Sequence, residues 1–141
     1  MEPKRVLFAC VGNSFRSQIA EGFAKAYAKP GTVDVRSGGT NPSGVVHGGA
    51  IRIMKERGID ISRHASKIID LEFADRADAF ITLCGPMDDA CPARIAKKAI
   101  DWNLPDPSWS TEDEQRRIRD TIEERVKRLL EDWRVLRADL P

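Results

Sequence analysis

Residues 6–28 read Val6-Leu7-Phe8-Ala9-Cys10-Val11-Gly12-Asn13-Ser14-Phe15-Arg16-Ser17, followed by Gln18-Ile19-Ala20-Glu21-Gly22-Phe23-Ala24-Lys25-Ala26-Tyr27-Ala28. The first four form a short apolar run that reads as a buried strand. Ser17 to Ala28 reads as a helix, because Ile19, Phe23 and Tyr27 recur every four residues with Ala20 and Ala24 on the same side. Between them lies a C-x5-R-S pattern. A loop entering a helix N-terminus points several backbone N–H groups at one spot, where the helix dipole favours negative charge. Gly12 and Asn13 tolerate the left-handed backbone that such a cradle needs. Arg16 can bind two oxygens of a tetrahedral anion at once, which Lys cannot. Cys10 sits at the base, in a positive setting that favours the thiolate, and Ser17 is placed to hydrogen-bond it. Cys–Arg spacings of this kind also arise by chance, with Cys10 a small buried residue and Arg16 a surface charge. The flanking strand and helix, with Gly-Asn inside and Ser after, favour an oxyanion-binding loop spanning Cys10, Val11, Gly12, Asn13, Ser14, Phe15, Arg16 and Ser17.

Working outward, Thr32 to Arg36 reads as a second strand, bounded by Pro30-Gly31 and Gly38-Gly39. Asn41 to Gly49 is loop-rich, and a helix through Ile51 and Met54 should be closed by Gly58 as its C′ glycine. Ala79 to Leu83 is a third strand, Lys98 to Trp102 a weaker fourth, and Pro105 and Pro107 break the chain. The last helix is the clearest. Thr111 with Glu114 makes a capping box, and Ile118, Ile122, Val126, Leu129, Trp133 and Leu136 form one apolar stripe. Strands alternating with helices predict an α/β fold, a three-layer, four-stranded parallel sheet with helices on both faces, in a single domain over residues 1–141. Ligands of such sheets sit beyond the carboxyl ends of the strands. Cys10 and Cys84 both fall just past a strand, so they should share one edge of the sheet.

The bulk properties exclude several classes. The chain has 141 residues, 41% hydrophobic and 32% charged, with a formal net charge of +1. That balance, with no cluster of basic and aromatic residues, argues against a nucleic-acid partner. The apolar run Val6–Cys10 is too brief for a signal peptide or a membrane span, so the expectation is a cytosolic protein with no membrane association. In that reducing compartment, three cysteines are more often catalytic or buried than paired in disulfides. His47 and His64 are isolated, without metal-ligand spacing, and read as structural. Trp133 belongs to the helix core, and Trp109 is placed to line the mouth of the site.

The loop, the helix start Gln18-Ile19-Ala20-Glu21-Gly22 and the later Gly58-Ile59-Asp60-Ile61-Ser62 resemble the low-molecular-weight protein tyrosine phosphatase superfamily. The resemblance runs from Val6 to the last helix. Within that superfamily, Gly12-Asn13-Ser14, Arg16-Ser17-Gln18 and Ala20-Glu21-Gly22 are more similar to the thioredoxin-coupled arsenate reductases; the phosphatases usually carry Pro where this chain has Gln18. Two departures stand out. Phe15 occupies a position where many members carry a second loop cysteine, and Val45-Val46-His47-Gly48-Gly49 is richer in glycine than the usual pattern.

The resemblance implies an arsenate reductase that works through three thiols. A phosphatase needs one nucleophilic cysteine, whereas a reductase must supply two electrons and so needs further thiols. Cys84 and Cys91, a C-x6-C pair followed by Pro92, match the reductase pattern; read alone, Cys84 is as well explained as a core thiol and Cys91 as a chance surface cysteine. Asp106, between Pro105 and Pro107, is implied as the general acid, although an ordinary Asp-Pro turn reads the same way. No cofactor is required for the chemistry. Some relatives bind potassium near the loop, and Asn13, Glu21 and Ser37 resemble part of that site, with the remaining ligands unmatched. The implied partners are arsenate, phosphate or sulfate as competing anions, and thioredoxin as electron donor to a monomer. Two rivals share the cradle: a phosphatase acting through a Cys10 phospho-enzyme, and a non-catalytic oxyanion or redox sensor.

Overall fold

The computed structural model describes residues 2–84 and 93–140, and of Arg94 the backbone alone. Four parallel strands, β1 (Lys4–Cys10), β2 (Val33–Gly39), β3 (Ala79–Thr82) and β4 (Ala99–Asp101), form one sheet in the order β2-β1-β3-β4. The helices are α1 (Arg16–Tyr27), α2 (Gly48–Lys55), α3 (Leu71–Arg76), α4 (Ala93–Ala96) and α5 (Glu112–Asp132). They divide between the two faces, as the alternation of strand and helix predicts.

The run Val6–Ala9 is apolar at every position because β1 is buried on both sides. Val6, Phe8 and Cys10 join a core with Ile19, Phe23, Ile53, Ile122 and Val126, while Leu7 and Ala9 join a second core with Phe73, Phe80 and Ile95. The first core lies under α1, α2 and α5, the second under α3 and α4. Among the described residues no helix is long and apolar enough to cross a membrane.

Several local expectations are sharpened or corrected. Gly58 does close α2: its φ is +73°, Gly58 N–H donates to the Lys55 carbonyl (2.9 Å) and Ile59 N–H to Met54 (3.1 Å), the paired bonds of a Schellman cap. β2 does not stop at Arg36 but runs on through Gly38 and Gly39, since those glycines pair with Ala9 and Cys10. The capping box is half realised, with Thr111 Oγ1 accepting from Glu114 N–H (3.2 Å) while the Glu114 side chain pairs with Arg117. On α5 the inward residue of the last turns is Leu130, fully buried, rather than the partly buried Leu129. The helix ends at Asp132, so Trp133 is its C-cap and Leu136 lies beyond it, bridged to Ala28. Four-residue steps from Ile118 lead through Ile122 and Val126 to 130, which is where the core continues. Helix α3 goes unread in the sequence because its six residues are shorter than two turns; its start is nonetheless marked by Asp70, whose carboxylate accepts from Phe73 N–H (3.0 Å).

Candidate active site

The Cys10–Ser17 loop connects β1 to α1 at the carboxyl edge of the sheet, and its backbone is held from outside. Each carbonyl from Cys10 to Phe15 accepts a hydrogen bond. Thr40 N–H donates to Cys10 (3.3 Å), Asn41 N–H to Val11 (2.9 Å), Ser43 N–H and the Ser66 hydroxyl to Gly12 (3.0 and 3.1 Å). Gln18 Nε2 donates to Asn13 (3.0 Å), His47 N–H to Ser14 (3.0 Å) and Ile19 N–H to Phe15 (3.0 Å). With its carbonyls bonded to groups outside it, the loop keeps its amides for its own interior, where Asn13 N–H reaches the Cys10 sulfur. Asn13 takes the left-handed backbone, φ +46°, that this turn requires. The glycine-rich segment that departs from the usual pattern is part of this frame, because His47 supplies one of its donors.

At the base, Cys10 Sγ accepts from Asn13 N–H (3.2 Å) and lies 2.8 Å from Ser17 Oγ. Asn13 orients the Ser17 side of this contact. Its Oδ1 accepts from Lys67 N–H (2.9 Å) and Gln18 Nε2 (3.1 Å), so its Nδ2 faces the other way and donates to Ser17 Oγ (2.8 Å) and Ser37 Oγ (3.0 Å). Ser17 Oγ therefore receives one proton from Asn13 and has its own to give to the Cys10 sulfur.

Arg16 closes the loop. Its Nη1 donates to the Leu104 carbonyl (2.7 Å), which ties the cradle to the segment carrying Asp106. Its Nε is buried and has no hydrogen-bond partner among the described residues. An orphaned guanidinium N–H in a ring of inward amides is a donor waiting for an anion.

Cys84 follows β3, whose end is levelled with Cys10 by the bond from Leu83 N–H to the Ala9 carbonyl (2.8 Å). The two thiols come together at one sheet edge, as expected. Burial pushes the Cys84 thiol up, and the nearby Cys10 adds to this; Arg16 and the Val11 amide oppose it without cancelling it. Cys84 is thus held protonated beside its partner. Cys91 lies outside the described residues.

Asp106 sits at the rim. Burial raises its carboxyl, but the Ser108 hydroxyl (2.7 Å) and amide (3.0 Å), both on Oδ1, with Arg16 and His47 nearby, bring it below its ordinary value. The segment is anchored by Gln115 of α5, which donates to the Pro107 carbonyl (3.1 Å). Trp109, three residues on, is 96% exposed.

Four residues of the site go unread in the sequence as site residues. Gln18, fully buried, bonds Asn13 and the Ala65 carbonyl (2.9 Å), and its Oε1 takes the Nδ1 proton of His64 (3.0 Å). His47 is structural, as expected, but not isolated: it caps α2 by accepting from Gly49 N–H (2.9 Å) and packs on Phe15. Gly39 lies against the loop backbone, where a Cβ would stand 2.4 Å from the Val11 carbonyl oxygen. The fourth is Lys67. Asn13, Glu21 and Ser37 do converge, but Lys67 Nζ occupies the place beside Ser37 Oγ (3.1 Å) and Glu21 Oε1 (3.4 Å). With an ammonium already there, this set does not fit an added potassium ion.

A strand, an inward-facing amide loop, a cysteine at its base and an arginine at its exit make a site for nucleophilic attack on a bound tetrahedral oxyanion. The sequence matches the low molecular weight phosphotyrosine protein phosphatase family over residues 5–139. The chain belongs to that family. An arsenate reductase of Halalkalibacterium halodurans is 42% identical over 138 residues, covering 93% of this chain and 98% of that protein. The solved structure of an arsenate reductase in its phosphate binding state superposes with a TM-score of 0.78 at 40% identity, covering 92% of this chain and 98% of the other. A thioredoxin-dependent arsenate reductase of Corynebacterium glutamicum superposes with a TM-score of 0.77 at 34% identity, over 94% of this chain and 63% of that one.

Proposed function

We propose that this protein is a thioredoxin-coupled arsenate reductase acting in the cytosol. The observation that carries the reading is the pairing of Cys10, at the base of the oxyanion loop, with Cys84 beside it at the same sheet edge. A phosphatase of this architecture has no use for the second thiol. The arsenate reductases about 40% identical over nearly their whole length support the same reading.

Arsenate enters the loop with its oxygens on the inward amides and on the free edge of Arg16. The Cys10 thiolate attacks arsenic, and an oxygen leaves as water with a proton supplied by Asp106. Asp106, held below its ordinary value, is ionised on its own; the incoming anion raises its proton affinity and loads it for this step. Cys84 then attacks Cys10 Sγ. A sulfur–sulfur bond forms, the sulfur–arsenic bond breaks, and its electron pair stays on arsenic, which leaves as arsenite. Cys91 attacks Cys84 and frees Cys10, and thioredoxin reduces the Cys84–Cys91 disulfide. Two thiols are oxidised and one arsenic is reduced by two electrons. The protonated state of Cys84 suits this order, since Cys84 gains nucleophilicity only once the charge on Cys10 has been spent in bonding arsenic.

The test is NADPH consumption in the presence of arsenate, thioredoxin and thioredoxin reductase. Wild type should turn over, and Cys84→Ser and Cys91→Ser should not. Hydrolysis of para-nitrophenyl phosphate without arsenate turnover would replace this reading with a phosphatase. Stoichiometric cysteine oxidation without turnover would replace it with a sensor.

A further inference from the structure

Beside the oxyanion loop, a hydroxyl, a peptide carbonyl and a buried carboxylate surround a cation that belongs to the chain. Lys67 Nζ lies 3.1 Å from Ser37 Oγ, 3.1 Å from the Ala65 carbonyl and 3.4 Å from Glu21 Oε1. Three oxygens of these types are the donor set of a hard cation, and an ammonium is close to a potassium ion in size. Glu21 is buried, its other oxygen is held by Lys25 (2.5 Å), and the His64 ring stands 3.9 Å away. Two ammonium groups already face one carboxylate, so an added cation would carry an uncompensated charge.

The Lys67 ammonium also has a line to the nucleophile. Ser37 Oγ gives its proton to Glu21 and so accepts from Lys67 Nζ and Asn13 Nδ2. Asn13 Nδ2 donates in turn to Ser17 Oγ, which faces Cys10 Sγ. The Lys67 backbone N–H holds the other end of the same Asn13 amide. Charge at Lys67 thus keeps Glu21 as acceptor, Ser37 as receiver and Ser17 as donor to sulfur.

We propose that Lys67 is a tethered substitute for an alkali cation, a positioning residue that holds the Glu21–Ser37–Asn13–Ser17 chain in the order that serves Cys10, and so makes the site independent of potassium. The proposal rests on Cys10 being the nucleophile of the site described above, and its test uses no arsenate, so it stands or falls separately from the oxyanion assigned.

The experiment compares wild type, Lys67→Ala and Lys67→Met in potassium, lithium and choline chlorides at equal ionic strength. It reads the rate of Cys10 alkylation by iodoacetamide, followed on the Cys10 peptide by mass spectrometry, and the thermal midpoint. Wild type should give the same rate and midpoint in all three salts. Lys67→Ala, which opens an oxygen-lined space, should lose about tenfold in rate in choline, the size of one hydrogen bond to a charged group. It should regain wild-type rate in potassium, within about twofold, and not in lithium. Lys67→Met fills the space without charge and should be slow in every salt. A wild type stimulated by potassium would overturn the proposal, as would a Lys67→Met protein as reactive as wild type. A folded Lys67→Ala protein equally slow in potassium and choline would also overturn it. Should Lys67→Ala fail to fold in every salt, the wild-type and Lys67→Met arms still decide.

Discussion

Substituting Gly39 by alanine should damage the oxyanion loop from beneath. Gly39 ends β2 directly against the loop, and a Cβ there would stand 2.4 Å from the Val11 carbonyl oxygen, 3.0 Å from Asn13 N and 3.1 Å from Asn13 Cβ. Real Cβ atoms essentially never come within 3.0 Å of a heavy atom, so the nearest contact is about 0.6 Å too short. The strand cannot retreat. Gly39 is paired with Cys10 on one side and clamped on the other by bonds to the Lys67 carbonyl (2.8 Å) and from Ile69 N–H (3.0 Å). The loop must therefore move, and its Val11–Asn13 backbone is the part that holds the Cys10 sulfur through Asn13 N–H. Overpacking of this kind costs about 1–3 kcal/mol, or roughly 3–4 °C in Tm per kcal/mol for a chain of this length. Because a displacement of about 1 Å in a reacting group costs on the order of 100-fold in rate, kcat/KM for arsenate should fall about tenfold or more. Phosphate affinity, read by calorimetry, should weaken in step. Gly48→Ala is the control: a Cβ at Gly48 meets nothing within 4 Å, and the site is helical, so stability should be unchanged or slightly raised. A Gly39→Ala protein with the Tm and the phosphate Kd of wild type would show that the loop tolerates a Cβ at this position.

Further outcomes follow from the same geometry. Cys84 is raised above its ordinary value, so its thiolate fraction increases with pH; the rate of Cys10–Cys84 disulfide formation in a single turnover should climb about tenfold per pH unit above neutrality until Cys84 has titrated. Hydrolysis of para-nitrophenyl phosphate, which does not use Cys84, should lack that rise, and a rise in both would place the titration elsewhere. Asp106 is lowered and so ionised, and Asp106→Asn should tighten phosphate binding by removing a negative charge at the rim, while slowing the first chemical step about 100-fold or more. Calorimetry and single-turnover kinetics read the two halves of that split, and loss of both or neither would contradict the role. Leu130→Ala removes a fully buried side chain from the main core and should cost about 2–5 kcal/mol in urea unfolding; a change under 1 kcal/mol would show that the core does not depend on this turn of α5.

The parts of the site that the sequence reveals are those whose chemistry is local. Cys10, Gly12, Asn13, Arg16 and Ser17 fall within eight consecutive positions, and each type has one physical reason to be there. β1 is legible because it is buried on both faces and so is apolar at every position. What escapes sequence reading depends on partners far along the chain. Gln18 looks like a solvated helix residue until the Ala65 carbonyl, 47 positions away, is brought beside it; its one signal is that phosphatases carry Pro there. Lys67 reads as one surface cation among many, and nothing local shows that its ammonium enters the space beside Glu21 and Ser37. Gly39 reads as a strand boundary because glycine disfavours strands, whereas the structure uses it where the loop comes too close for any side chain. The stripe on α5 errs by one residue at Leu129, since spacings of three and four are equally helical and only the packing selects Leu130.

In the proposed cycle Cys84 takes oxidation from Cys10 while arsenic leaves reduced. Its most direct test is a single turnover of Cys91→Ser with arsenate and no thioredoxin, followed by mass mapping of disulfide peptides and a count of arsenite. One equivalent of arsenite per chain should appear, with a Cys10–Cys84 disulfide in equal amount. Arsenite release with Cys84 still a free thiol, or no arsenite at all from a protein that binds phosphate normally, would contradict it.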